Sequence, residues 1–260
     1  MLNREICPTP TDFVKSTEKR EYMAGKIFVT GDMHGSAGAY RLQNHVYGGR
    51  LDEDDVVLVA GDWGMPFIVP KIEDEGLDQL ALLPFKIAFI DGNHENFPLL
   101  RAYPEKEHFG GPVGVLRPNI FHLKKRGHVY YINGKSFWCF GGAASHDKEC
   151  RQKGVSWWPE EEANEEEMEY GVEQLRKYEY VDFMLSHDCP FSLCEFNPRL
   201  FRSHDVKPNA VNRYLDKAAK CGKAELWIFG HHHLDRDIAG IDPYPNQKFR
   251  AIYRDIVRLV

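Results

Sequence analysis

The chain has 260 residues, 43% hydrophobic and 28% charged, a balance that suits one large domain or two small ones. Its formal net charge of -6 argues against a protein that coats long nucleic acid, because such binding neutralises phosphates with basic residues; a local basic groove stays open. No apolar run approaches the roughly 20 residues a membrane-spanning helix needs, so no membrane partner is expected.

Residues 1–25 contain Cys7-Pro8-Thr9-Pro10 and then mixed charge. They lack the roughly 7–15-residue apolar core of a secretory signal, which makes a cytoplasmic location the expectation. The segment reads as a surface arm ahead of a single domain over 26–260. The six cysteines (Cys7, Cys139, Cys150, Cys189, Cys194, Cys221) show no C-x-x-C pair and no dense framework, as expected of reduced thiols.

Ile27-Phe28-Val29-Thr30 reads as a strand that ends in Gly31-Asp32-Met33-His34-Gly35. Residues two apart on an extended chain project to the same side, so Asp32 and His34 can grip one cation. Strand-Gly-Asp is also an ordinary turn, and the metal reading strengthens only because the pattern returns. Ser36 can cap a helix through Ala39, Leu42 and Val46 to a Gly48-Gly49 stop. The acidic run at 52–55 reads as a solvated loop.

Val56-Val57-Leu58-Val59-Ala60 is a continuous apolar run, as in a strand covered on both faces, and it ends in Gly61-Asp62-Trp63-Gly64. A helix is predicted over 72–82. A strand over 87–90 follows, ending in Asp91-Gly92-Asn93-His94-Glu95-Asn96. Three successive strands thus end in Gly-linked polar clusters, at the sheet edge where α/β proteins gather ligands.

Residues 130–140 read as a hairpin around Asn133-Gly134, so the sheets are not purely parallel. Gly141-Gly142 leads to Ser145-His146-Asp147. Pro159 followed by Glu160, Glu161 and Glu162 predicts a helix start, and the glutamates through Glu169 read as its solvated face. A strand over 181–185 ends in Ser186-His187-Asp188. After a proline-punctuated stretch and a helix over 209–219, a strand over 226–229 ends in Gly230-His231-His232-His233. Closing strands are expected at Ile252-Tyr253 and Ile256-Val257. There is no internal repeat, heptad or low-complexity linker.

In order, the clusters are Gly-Asp-x-His-Gly, Gly-Asp, Gly-Asn-His-Glu, Ser-His-Asp and Gly-His-x-His. Together they resemble the calcineurin-like metallophosphoesterase superfamily from about Lys26 to the last strand. The resemblance implies a four-layer α/β/β/α sandwich with mixed sheets and a two-metal site at one edge. Carried over by motif, Asp32, His34 and His233 resemble the ligands of one metal. Asn93, His187 and His231 resemble those of the other, with Asp62 bridging. Nitrogen and oxygen donors without thiolate suit manganese, iron or zinc. His231 and His233 can face one side, with His232 pointing away as a packed or supporting ring. The implied reaction is hydrolysis of a phosphoester by a metal-bridging hydroxide. His94 resembles the histidine that protonates the leaving group or steadies the phosphate. Glu95 and Asp91 are expected to shape the loop.

Ser/Thr protein phosphatases of this superfamily carry a further acid and an arginine after the bridging aspartate. Here Trp63-Gly64-Met65-Pro66 follows Asp62, so His94 loses its usual acidic partner, and a backbone carbonyl or another carboxylate is expected to orient it. A phosphomonoester or small nucleotide-type phosphodiester therefore fits better than a phosphoprotein. Residues 141–151 with Ser156-Trp157-Trp158-Pro159 resemble small bacterial and phage-type members. There Arg151 or His146 can reach substrate phosphate, since guanidinium matches its oxygens; a surface loop with local pairing is the alternative. Trp157 and Trp158 read as packed rather than base-stacking. Lys124, Lys125 and Arg126 are too few to signal nucleic-acid binding, and protein partners are not legible. The competing readings are a non-catalytic scaffold of this fold, a nuclease, or a phosphoprotein phosphatase of the same superfamily. A structural zinc protein is not expected, since such sites are closed and cysteine-rich.

Overall fold

Short runs of β-branched and aliphatic residues set the first sheet. The computed structural model describes residues 25–48, 51–68, 70–201, 208–240 and 242–260; the expected amino-terminal arm, Gly25 apart, lies outside the described residues, as do Gly49 and part of the proline-punctuated stretch. The chain runs β1 (Ile27–Thr30), α1 (Ser36–Gly48), β2 (Val56–Val59), α2 (Pro70–Ala81), β3 (Lys86–Phe89) and α3 (Phe97–Ala102). Then come β4 (Glu105–His108), β5 (Gly111–Arg117), β6 (Ile120–His122), β7 (His128–Ile132) and β8 (Lys135–Phe140). The remainder is α4 (Glu165–Tyr178), β9 (Val181–Ser186), α5 (Phe191–Phe196), α6 (Ala210–Cys221), β10 (Ala224–Phe229), β11 (Arg236–Ile238), β12 (Phe249–Ala251) and β13 (Ile256–Arg258).

Two mixed sheets result, one ordered β13-β1-β2-β3-β6-β5-β4 and the other β11-β12-β10-β9-β8-β7. Strand alternation builds the layers. Ile27, Val29, Val56 and Leu58 pack between the sheets against Tyr130, Phe137, Cys139, Leu185 and Ile228. Their neighbours Val57, Val59, Ile87 and Phe89 face the other way, onto Leu42 of α1 and Leu77 and Leu80 of α2. On the second sheet Trp138, Phe140, Trp227 and Phe229 face outward onto Leu175 of α4 and Val211, Tyr214 and Leu215 of α6. The order is therefore helices, sheet, sheet, helices: the four-layer sandwich expected. Full burial of one such side chain is worth about 1.5–3 kcal/mol, which is why the alternation fixes the register. The buried indoles of Trp138 and Trp227 also satisfy their N–H groups, Trp138 on Gly171 O (3.1 Å) and Trp227 on Ser186 Oγ (2.7 Å).

The hairpin forms as predicted, with Asn133 and Gly134 both at positive φ (45° and 79°) as a type I′ turn requires. Three expectations need correction. Pro159–Glu161 is only a 3-10 turn, and α4 begins at Glu165, where Asn164 caps Glu167 N and Glu167 reaches back to Asn164 N. The glutamate run is not wholly solvated, because Glu161 is fully buried. The penultimate closing strand is β12, which ends before Ile252 and Tyr253. Strands β4 to β6, which extend the first sheet, carried no clear sequence signal. Among the described residues no helix is long and apolar enough to cross a membrane.

Candidate metal centre

Six parallel strand ends supply the site, three from each sheet. In the first sheet Thr30 is in register with Val59, and Val59 with Phe89. In the second, Phe140 and Phe229 are both in register with Ser186. The loops leaving these strands therefore start level and meet. Four of the candidate ligands sit on left-handed backbone: His34 (φ 49°), Asp62 (φ 47°), His231 (φ 62°) and His233 (φ 52°). Non-glycine residues rarely adopt that region, and the strain persists only where surrounding contacts hold it. Asp62 O provides one such hold, accepting from Met33 N (3.0 Å) and His34 N (2.8 Å). The adjoining glycines are needed for close approach: a Cβ on Gly61 would lie 2.1 Å from His187 Nδ1, and one on Gly92 would lie 2.2 Å from Asp62 Oδ1.

The predicted ligands come together. His233 Nε2 lies 3.1 Å from Asp32 Oδ2 and 3.0 Å from His34 Nε2. His187 Nε2 lies 3.1 Å from Asn93 Oδ1 and 3.2 Å from Asp62 Oδ1, and its ring is 5.1 Å from that of His231. Asp62 stands between the two groups, with Oδ2 3.8 Å from His34 Nε2 and Oδ1 toward His187. Burial alone would raise the Asp62 carboxyl, but the adjacent His187 imidazole holds it well below the usual carboxylate range. Burial would pull His187 down, and the same Asp62 charge pushes it up to about 10.

Other buried groups hold these side chains in place. His187 Nδ1 is paired with Ala60 O at 2.8 Å, which leaves Nε2 facing the site. Asp32 Oδ1 accepts from His231 N (3.0 Å), and Arg41 donates to the backbone oxygens of Asp32 and Tyr253. Asn93 Nδ2 donates to Ser145 Oγ (3.2 Å), and Ser145 N and Oγ both donate to Glu161 (2.7 Å each). That chain fixes which end of the Asn93 amide faces His187. Glu95 accepts from Trp63 N (2.7 Å), Gly64 N (3.2 Å) and Gly92 N (3.3 Å), so it shapes the loop as expected. Asp91 also acts structurally, paired with buried Arg126 and with His122 Nε2 at 3.2 Å. The sequence reading missed Ser145, Glu161, Arg126 and Arg41. Only Asn164-x-x-Glu167, a capping-box pattern that marks where α4 begins, carried a local signal that could have set Glu161 apart from the helical run.

His94 sits at the rim. Its backbone N donates to Asp62 Oδ1 (2.8 Å), and its Nε2 is 4.0 Å from Asp62 Oδ2. The expected carbonyl or carboxylate partner is replaced by a cation: Arg151 Nη2 lies 2.9 Å from His94 Nε2. Because guanidinium only donates, Nε2 accepts and the proton sits on Nδ1. Burial lowers the His94 pKa, Asp62 opposes this, and Arg151 reinforces it. His146 stacks on His231, with ring centroids 5.3 Å apart, at the exposed edge of the site. His232 does point away, toward Asp188 and Cys189. Trp158 packs, its ring 6.0 Å from Phe67.

The donor set fits cations. Asp32 Oδ2 is buried and makes no hydrogen bond, although two imidazole Nε2 atoms lie within 4 Å of it. A buried carboxylate oxygen with no proton donor, facing imidazole nitrogens, is what a divalent cation would complete, and imidazole, carboxylate and amide oxygen are ligands for such cations.

Among the curated proteins none matches. One solved structure with similarity is the Thermus thermophilus sulfate thiohydrolase SoxB in complex with glycerol, 13% identical with a TM-score of 0.40; the alignment covers 86% of this chain and 39% of that one. The family model for calcineurin-like phosphoesterase matches residues 25–235, stopping short of β11 to β13. That span takes in every strand-end cluster from Asp32 to His233, and the chain belongs to the calcineurin-like phosphoesterase family.

Proposed function

We propose that the chain is a metal-dependent phosphoesterase with a dinuclear centre, acting on small phosphomonoesters or nucleotide-type phosphodiesters. The observation that carries this reading is the position of Asp62: one carboxylate oxygen faces His34 and the other faces His187, each about 3–4 Å away, as a carboxylate shared by two cations would. Asp32, His34 and His233 would hold one cation, and Asn93, His187 and His231 the other. When bound, the two cations supply Lewis acidity and an activated water for attack on phosphorus.

The protein groups orient the ester. Arg151 Nη1 is buried without a hydrogen-bond partner among the described residues, and Nη2 reaches His94. A phosphate beside His94 would give Nη1 its acceptor, and the fork geometry of guanidinium suits two phosphate oxygens. Arg151 Nε is fixed by Asp147 Oδ1 at 2.8 Å, so the fork is aimed before substrate arrives. Once a phosphate draws the Arg151 fork to itself, His94 Nε2 is free to take up a proton and pass it to the departing oxygen. Next to His94 the wall is apolar, formed by Met65, Phe67, Ile68 and Ile72, with Ile68 and Ile72 exposed. On the opposite flank Arg41, Arg254 and Tyr253 border Asp32 and His34. An apolar wall on one side and a basic one on the other favour a compact ester with a planar or apolar leaving group.

The test is turnover of an aryl phosphate and a bis-aryl phosphodiester with added manganese. Asp62→Ala should abolish it, while His94→Ala leaves metal content intact and lowers the rate by about 10²–10⁴. Turnover that survives Asp62→Ala would overturn the mechanism.

A further inference from the structure

A second convergence of donor atoms lies behind the first. Cys189 follows the end of β9, Cys194 lies in α5, and His232 lies in the loop after β10. Cys189 Sγ is 3.7 Å from Cys194 Sγ and 3.3 Å from His232 Nε2, and the three donor atoms all lie within 4.8 Å of one another. With metal–sulfur bonds of about 2.3 Å and metal–nitrogen bonds of about 2.0–2.1 Å, a tetrahedral zinc sets S···S near 3.8 Å and S···N near 3.5 Å. The two measured edges are close to those values. Both thiols are fully buried, and the His232 side chain is 5% exposed. Asp188 Oδ1 stands 3.2 Å from His232 Nε2 and accepts from Cys189 N at 2.7 Å, so a buried carboxylate orients both the imidazole and the first cysteine. Apolar packing accounts for Cys139, which is buried among the side chains between the sheets. Cys189 and Cys194 also lie among apolar side chains, beneath α6, but packing alone does not bring their two sulfurs and the His232 nitrogen within 4.8 Å of one another.

We propose that Cys189, Cys194 and His232 form a separate site for one thiophilic divalent cation, zinc by donor chemistry. Its sulfur and nitrogen donors contrast with the nitrogen and oxygen donors of the dinuclear centre, so the two sites select different metals. On binding, the two thiols give up their protons to solvent as the metal takes the sulfur lone pairs, and no electron is transferred. The bound ion fastens the loop after β10 to α5 and to the end of β9. His231 and His233, on either side of His232, are then held in their left-handed backbone conformation toward the catalytic edge.

The full chain, reduced and kept anaerobic, is titrated with cobalt(II). The wild type should show a thiolate-to-cobalt charge-transfer band that saturates at one equivalent. Cys189→Ser/Cys194→Ser should lose that band and one equivalent of bound metal. Asp62→Ala should keep the band, which separates failure here from failure of the phosphoesterase reading. In case the double variant does not fold, X-ray absorption on wild type loaded with three equivalents of zinc should report sulfur neighbours at about 2.3 Å. A wild type without the band, a double variant that retains it, or zinc with only nitrogen and oxygen neighbours would overturn the proposal.

Discussion

Ser145→Ala tests whether the candidate ligand Asn93 depends on its support. The hydroxyl accepts from Asn93 Nδ2 at 3.2 Å and donates to Glu161 at 2.7 Å, all within a buried pocket. Removing it leaves the Asn93 amide N–H without its acceptor, at a cost of about 1–3 kcal/mol for a buried donor. Glu161 keeps Ser145 N, so the loop itself holds. The penalty falls on one orientation of Asn93, the one that presents Oδ1 toward His187. The freed amide can turn over in the metal-free protein, but it must present its oxygen when metal binds. The loss therefore appears as weaker metal binding, about 10–100-fold, the range seen when a group supporting a metal ligand is removed. The assay is turnover of an aryl phosphate across a manganese titration, together with equilibrium metal binding. The half-saturating manganese concentration should rise by that factor, while the rate at saturating metal stays within about threefold. Metal affinity within twofold of wild type would refute the assignment of Asn93 as a ligand held through Ser145.

Arg126→Met should strand the buried Asp91 carboxylate and destabilise the protein by about 3–5 kcal/mol in denaturant melts. Burial would raise the Asp91 carboxyl, and Arg126 and His122 instead hold it well below the ordinary range. A depressed carboxyl contributes stability that is full above its unfolded pKa of about 3.9 and is lost only as pH falls from there through the folded value. Without Arg126 burial instead raises the carboxyl, and protonation relieves the stranded charge, so the gap between wild type and variant should be widest near neutrality, shrink toward about pH 4 and shrink further below it. A gap independent of pH would show that Asp91 is not the group Arg126 serves. Asn164→Ala removes the cap of α4 and should cost about 0.5–2 kcal/mol in the same melts without changing bound metal. Arg151→Ala should lower kcat/KM by about 10–100-fold, the loss of one charge-assisted bond of about 1.5–3 kcal/mol, at unchanged metal stoichiometry. Arg151→Lys should recover only part of it, because an ammonium cannot present a fork.

What the sequence made legible and what it hid divide along a physical line. The strands that carry the site are apolar and short, and each candidate ligand lies within four residues of a strand end. Asp32 with His34, and His231 with His233, were legible because the alternate spacing returns at successive strand ends, although the backbone at His34, His231 and His233 is left-handed rather than the extended chain that spacing suggests. The supports do not. Ser145 meets Glu161 across 16 positions and Asn93 across 52, and Arg126 meets Asp91 across 35. Each is a common residue type, and a glutamate that seals a buried serine looks no different in sequence from one in water. Glu161 therefore reads from sequence as part of a solvated helical face, and Arg126 only as one of three basic residues too few to signal nucleic-acid binding. Strands β4 to β6 escaped for a related reason. Glu105–His108 is mostly exposed and strongly charged, and β5 contains Gly111-Pro112, so neither alternation nor composition marked them. Cys189 and Cys194 are separated by four residues, a spacing zinc sites do use but one too common to single out without a second ligand nearby in sequence, and His232 lies 43 positions from Cys189. Their convergence depends on β9 and β10 running parallel side by side, so that the segments following both strands leave from the same edge. Ligand identity is thus a local property of strand ends, whereas the precision with which those ligands are held belongs to the packed fold. Mutations at the supports, more than at the ligands, will reveal how that precision is distributed.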